Sequence, residues 1–86
     1  MESPYTKKQG QYLAFIYYYT RVNGRAPAEV DFQRYFRVSA PSVHQMIVTL
    51  ERKRLISRDP GRGRSIKLLL SRGELPDLDP DDVQAN

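Results

Sequence analysis

The chain has 86 residues, no cysteine and one histidine, which suits one small domain and excludes disulfides, zinc–cysteine sites and thiol catalysis. Its N-terminus lacks the apolar core of a signal peptide, and no run approaches the roughly 20 apolar residues of a membrane span. The formal net charge of +4 hides an asymmetry: residues 1–70 carry 13 Lys or Arg against five acids, whereas residues 71–86 carry Arg72 against Glu74, Asp77, Asp79, Asp81 and Asp82. A body that basic points to a polyanionic partner, and with neither a signal peptide nor a membrane span the expected location is the cytoplasm, with no membrane partner.

The first predicted helix opens at Thr6, where Thr6-Lys-Lys-Gln9 matches a capping box, and stops at Gly24. Tyr12, Leu13, Ile16, Tyr19 and Thr20 form one broad face, while Phe15, Tyr17, Tyr18 and Val22 add apolar surface elsewhere. A helix apolar nearly all round is either deeply buried or partnered. Ala14, Tyr17 and Tyr18 lie off the main stripe and are the candidate interface of a homodimer.

Arg25-Ala26-Pro27 is an extended link, because the residue before proline avoids helical angles. A second helix runs from about Ala28 to Phe36, with Glu29 and Asp31 favouring the positive end of its dipole. Arg37-Val38-Ser39 is the turn, and a third helix starts near Pro41. Val43, Met46, Ile47 and Leu50 share a narrow arc of this third helix and face the core. The opposite arc holds Pro41, Ser42, Gln45, Val48, Thr49 and Arg52, with His44 on its flank.

Residues 55–58 read as a strand, Asp59-Pro-Gly-Arg-Gly63 as a turn, and residues 64–70 as a returning strand. The segment 71–86 is acidic and proline-bearing, a tail expected to be flexible or loosely packed outside a 1–70 domain. The predicted fold is mainly α (α+β): three helices and a two- to three-stranded hairpin, a winged helix-turn-helix.

Two helices joined by so short a turn form the unit whose second helix enters the major groove with its N-terminal residues against base edges. Ser39, Ser42, His44, Gln45 and Thr49 are the candidate base-contacting residues. Glutamine suits adenine N6 and N7, and serine or threonine donates or accepts at several bases. Arg58, Arg62 and Arg64 surround a glycine-bearing tip, from which guanidinium groups reach phosphates or a narrow minor groove. Lys7, Lys8, Arg25, Arg34, Arg37, Arg52 and Lys67 are further candidate phosphate contacts. No catalytic constellation is present: there is no phosphate-binding loop, no His-Glu-x-x-His and no carboxylate pair in an apolar setting. No enzyme activity, cofactor or metal is therefore expected.

These residues resemble the N-terminal winged-helix domain of the LexA repressor family. The pattern is Tyr5-Thr6-x-x-Gln9, Leu13-x-x-Ile16, Gly24 with Pro27, and Ser39-x-x-Ser42. It continues with Leu50-x-x-Lys53-x-Leu55-Ile56 and Arg64-Ser65-Ile66-x-Leu68. The resemblance implies a three-helix core with a two-stranded wing, sequence-specific DNA binding as a transcription regulator, and base contacts at Ser39, Ser42, His44 and Gln45. Three positions depart from the family: Ala28 stands where a threonine cap is usual, and Arg37 and Arg54 stand near the family's glycines. LexA also continues into a self-cleaving peptidase domain, which these 86 residues do not contain.

The reading is a regulator of transcription, a repressor, that binds double-stranded DNA with helix 40–53 in the major groove and wing 58–64 on the backbone or minor groove. The alternative is a winged helix that binds protein and never touches DNA. RNA binding is disfavoured because the hairpin offers no base-stacking aromatics.

Overall fold

The structure is a computed structural model, and it describes residues 3–81. Helices α1 (Lys7–Asn23), α2 (Glu29–Phe36) and α3 (Ala40–Arg52) are followed by strands β1 (Ile56–Ser57) and β2 (Lys67–Leu68) and a 3-10 turn at Arg72–Glu74. The strands pair antiparallel, Ile56 opposite Leu68 and Ser57 opposite Lys67, to form the wing. This is the three-helix winged fold expected from the sequence. Among the described residues no helix is long and apolar enough to cross a membrane.

Each helix starts where a side chain satisfies its free amides. Thr6 and Gln9 close a reciprocal capping box on α1: the Gln9 N–H donates to Thr6 Oγ1 at 3.2 Å and the Thr6 N–H to Gln9 Oε1 at 3.0 Å. Gly24 ends α1 in the left-handed region, at φ 72°. Ala28 has no oxygen to offer α2, so Asp31 does the work from inside the helix, accepting the Ala28 N–H at 2.8 Å. Ser39 caps α3 by accepting the Ser42 N–H at 3.3 Å.

The core is built on aromatic rings from α1 and α2. The Tyr12 ring lies flat on Phe36, with centroids 4.4 Å apart, and stacks on Phe32 at 5.3 Å. Phe15, which periodicity puts off the main stripe, packs on Phe32, Tyr35 and Phe36 and belongs to the core. Val43, Ile47 and Leu50 of α3 are fully buried against this layer, and Leu55, Ile56 and Ile66 close it from the wing. Burial along α1 is continuous from Gly10 to Ile16, so the all-round apolar surface of that half is enclosed on every side. The far half emerges into solvent, where Val22 stands 82% exposed.

The strands are shorter than expected, two residues each against the anticipated 55–58 and 64–70. Arg64, expected to begin the returning strand, lies in the turn instead, at φ 54°. It is one of three arginines in the left-handed region, with Arg37 (φ 56°) and Arg54 (φ 63°). Arg54 closes α3 in a Schellman motif: its N–H donates to the Glu51 carbonyl at 3.0 Å and the Leu55 N–H to the Leu50 carbonyl at 3.0 Å. Arg37 does the corresponding work after α2, donating its N–H to the Gln33 carbonyl. Both turns keep a left-handed backbone that glycine adopts easily, at the steric cost of a Cβ.

The expectation of a loose tail is corrected for residues 71–79. Leu75 is buried in the core, and Tyr5 donates its hydroxyl to the Glu74 carbonyl. Gln11, itself buried, grips the tail backbone: its Nε2 donates to the Asp77 carbonyl at 3.0 Å and its Oε1 accepts the Asp79 N–H at 2.7 Å. Gly10 makes this approach possible, because a Cβ there would meet the Tyr5 ring at 2.9 Å and Pro76 at 3.1 Å. Charge counting missed the segment because Leu75, Pro76 and Leu78, not its acids, make the apolar contact. Residues 82–86 of the expected tail lie outside the described residues.

Three outcomes follow for stability. Arg54→Gly stabilises the fold by about 0.5–1 kcal/mol, since relief of the left-handed strain exceeds glycine's extra unfolded-state entropy, and thermal unfolding reads it as a midpoint a few degrees higher. Leu75→Ala costs about 2 kcal/mol by chemical denaturation, as for a core leucine; no loss would mean the tail is not docked in solution. The Glu74 carboxyl is held below its ordinary pKa by the Ser71 backbone N–H and then its hydroxyl. A folded pKa below the unfolded one gives stability that is fully present above the ordinary carboxylate value of about 4.3 and is lost as pH falls from there through the lower folded pKa. Nuclear magnetic resonance of the Ser71 and Leu75 amides should show the tail loosening in that acid window.

Candidate nucleic-acid interface

The outward arc of α3 exists because Val43, Ile47 and Leu50 fill the inward one. It presents Pro41, Ser42 and Gln45 to solvent, with Thr49 half-buried one turn further on and Arg52 exposed at the end. The Gln45 side-chain amide makes no hydrogen bond among the described residues. Ser42 keeps most of its capacity and receives one bond, from Ser39 Oγ at 3.0 Å. Thr49 is more committed: its hydroxyl donates to the Gln45 carbonyl at 2.9 Å and accepts from Arg52 at 3.3 Å. Between this arc and the start of α1 lies a shallow hollow lined by Gln9, Pro41, Ser42, Gln45, Met46 and Thr49. Lys53 borders it, donating to Gln9 Oε1 at 2.8 Å.

His44 stands on the other flank of α3, towards the wing. Its Nδ1 lies 3.3 Å from Glu29 Oε2, and its side chain remains 59% exposed. Ser39, singled out as a base contact, sits at the very start of the helix as its cap. The residues named from sequence therefore share one surface but not one state: Ser42 and Gln45 are open, while Ser39, His44 and Thr49 already hold protein partners.

The wing arginines divide in the same way. Arg62 is 78% exposed and has only a loose pairing with Asp59 at 3.8 Å. Arg58 turns inward, donating through Nε to Glu51 at 3.2 Å and through Nη1 to Glu29 at 3.5 Å. Arg64 also turns inward: its Nη1 lies 3.1 Å from Asp31, 3.2 Å from the Tyr19 hydroxyl and 3.3 Å from the Ala26 carbonyl. The Tyr19 hydroxyl first, then the Asp31 charge, holds this guanidinium above its already high ordinary pKa. The tip itself is braced by Ser65, whose Oγ accepts the Asp59 N–H at 2.9 Å and donates to the Arg62 carbonyl at 2.9 Å.

Among the other cations, Lys7, Arg25, Arg34, Arg37 and Lys67 are exposed, with Arg37 at the α2–α3 turn. Lys8 lies over the Phe36 ring at 5.7 Å. The proposed dimer face is corrected. Ala14 is fully enclosed within the chain, and Tyr17 and Tyr18 are half-buried beneath Arg72. That guanidinium stacks over both rings, at 5.2 and 5.6 Å, and donates to the Tyr18 hydroxyl at 2.9 Å. The tail covers the aromatics that sequence periodicity left unpartnered. The carboxylates Glu29 and Asp31 were read only as dipole partners; their spacing in the first turn of α2, in a body with so few acids, was the signal that they hold cations.

The sequence model of the LexA DNA binding domain matches residues 2–65. The chain is 36% identical over 64 residues to the LexA repressor of Thermosipho melanesiensis, an alignment covering 74% of this chain and 32% of that protein. It is 37% identical over 71 residues to the LexA repressor of Petrotoga mobilis, covering 81% of this chain and 34% of that protein. The LexA repressor of Thermosipho africanus is 34% identical over 64 residues, covering 74% of this chain and 32% of that protein. The chain thus spans about a third of the length of these relatives. A family match over most of the chain agrees with the three helices, the two-stranded wing and the open face of α3: the chain belongs to the LexA DNA-binding domain family.

Proposed function

We propose that this chain binds double-stranded DNA sequence-specifically and represses transcription, in the cytoplasm on the nucleoid. In this reading α3 lies in the major groove, with Ser42 and Gln45 on base edges and His44 and Thr49 at the margins. The supporting observation is the uncommitted amide of Gln45 at the centre of an exposed, nearly uncharged arc, flanked by exposed cations at Arg37, Arg52 and Arg62. Glutamine reads adenine through N6 and N7. The hollow beside it, walled by Pro41 and Met46, suits the apolar methyl group of a neighbouring thymine. Lys7, Lys8, Arg37 and Arg52 serve the backbone near α1 and α3, and Arg62 serves it from the wing. A single module of this kind covers about 600–1,000 Å² of its own surface on DNA.

Selection from random duplexes, followed by titration in salt, tests the reading. The selected site contains adenine next to thymine, and affinity falls with salt by about 0.9 log unit per phosphate neutralised. Gln45→Ala changes which sequence is preferred, whereas Arg62→Ala weakens all sequences alike and lowers the salt slope by about 1. Recovery of no preferred sequence, with both variants binding like the wild type, favours the protein-interaction alternative.

A further inference from the structure

The wing tip is rigid within itself and is anchored at its base by buried Ile56 and Ile66. Ser65 and the Arg62 N–H, which donates to the Asp59 carbonyl at 3.1 Å, lock the loop from Asp59 to Ser65 into one unit. A two-residue ladder and the Leu69 N–H donating to the Leu55 carbonyl at 3.0 Å fix the base of the wing. So short a ladder leaves the direction of the tip incompletely set. Ion pairs reaching from the wing to the other elements add to that anchoring. Arg58 spans Glu51 on α3 and Glu29 on α2; Arg64 spans Asp31 on α2, Tyr19 on α1 and the Ala26 carbonyl between them.

Asp31 is the focus of this arrangement. Its side chain is only 12% exposed, and one oxygen accepts both the α2 cap N–H and the Arg64 guanidinium. Arg64 holds a positive φ that side-chain-bearing residues rarely adopt, which persists where surrounding contacts over-determine it. Acids beneath a surface that meets DNA weaken the attraction for phosphate, and residues 1–70 contain just five of them. Two lie in the first turn of α2, each bonded to a wing arginine.

We propose that Asp31 is a positioning residue for DNA binding: through Arg64 it holds the wing at the angle from which Arg62 meets the phosphate backbone, and Arg64 is spent on Asp31 and not on phosphate. The inference rests on the DNA-binding reading above and adds a sign to it. Removing an acid from a DNA-binding protein ordinarily tightens binding; removing this one weakens it.

The test measures affinity for the selected duplex over a range of salt, for the wild-type chain and for Asp31→Ala, Asp31→Glu, Arg64→Ala, Arg62→Ala and the Asp31→Ala/Arg64→Ala double variant. Asp31→Ala is expected to weaken binding severalfold although it raises the net charge, and to lower the salt slope by up to about 0.9, as Arg62→Ala does. The double variant binds no worse than Arg64→Ala alone, because both changes break the same link. Asp31→Glu, which keeps the carboxylate, restores affinity and slope. Should Asp31→Ala lose its fold at the assay temperature, Asp31→Asn keeps an acceptor for the α2 cap and is read by the same signs. An Asp31→Ala chain that binds as tightly as wild type or tighter, while Arg64→Ala is weakened, makes Arg64 the phosphate contact and overturns the proposal. A wild-type chain that binds no duplex overturns the functional reading and this inference together.

Discussion

Tyr12 lying flat on Phe36 is the contact on which the rest of the molecule depends. A chain of this size buries only about 60% of the surface that unfolding exposes, so a few large side chains must do most of the work. Aromatic rings bury about 150–250 Å² each and add directional preference beyond area. The Tyr12–Phe36–Phe32 stack, with Phe15 against its edge, fixes α1 on α2. The pair then offers a floor on which Val43, Ile47 and Leu50 set α3, and α3 carries the face that meets solvent. Burial also pushes the Tyr12 phenol above its usual pKa, so the ring stays neutral where a phenolate would be most costly.

Local chemistry was legible in the residues and tertiary compensation was not. The Thr6 capping box, the Gly24 stop and the inward arc of α3 depend on neighbours within one or two turns, and all three are present. The wing's existence was legible, but not that Arg64 at its turn takes a backbone conformation that no propensity scale assigns to arginine. The ends of α2 and α3 likewise use Arg37 and Arg54 where glycine would be easier, and hydrogen bonds to the preceding turn hold them there. Phe15 was misplaced because a helix enclosed on every side has no single apolar stripe to find.

Charge was the feature most easily over-read. Thirteen cations in residues 1–70 suggest a broad phosphate-binding surface. Of these, the structure commits Arg58 and Arg64 to carboxylates and Lys53 to Gln9. Most of the rest stand outward, with Arg37, Arg52 and Arg62 the ones beside the exposed arc of α3 and the wing tip. A formal charge counts protons; the field that a duplex meets depends on which of those charges have already found a counter-charge.

The clasp between Gln11 and the tail has a consequence for how the boundaries of this domain are drawn. Gln11 itself recognises the main chain at Asp77 and Asp79, while the Asp77 carboxylate separately pairs with Arg72 at 3.1 Å. The family match covers residues 2–65, so the docked segment lies beyond it. A fragment trimmed to the recognisable motif would keep the whole exposed arc of α3 and the wing and lose the lid over its own core.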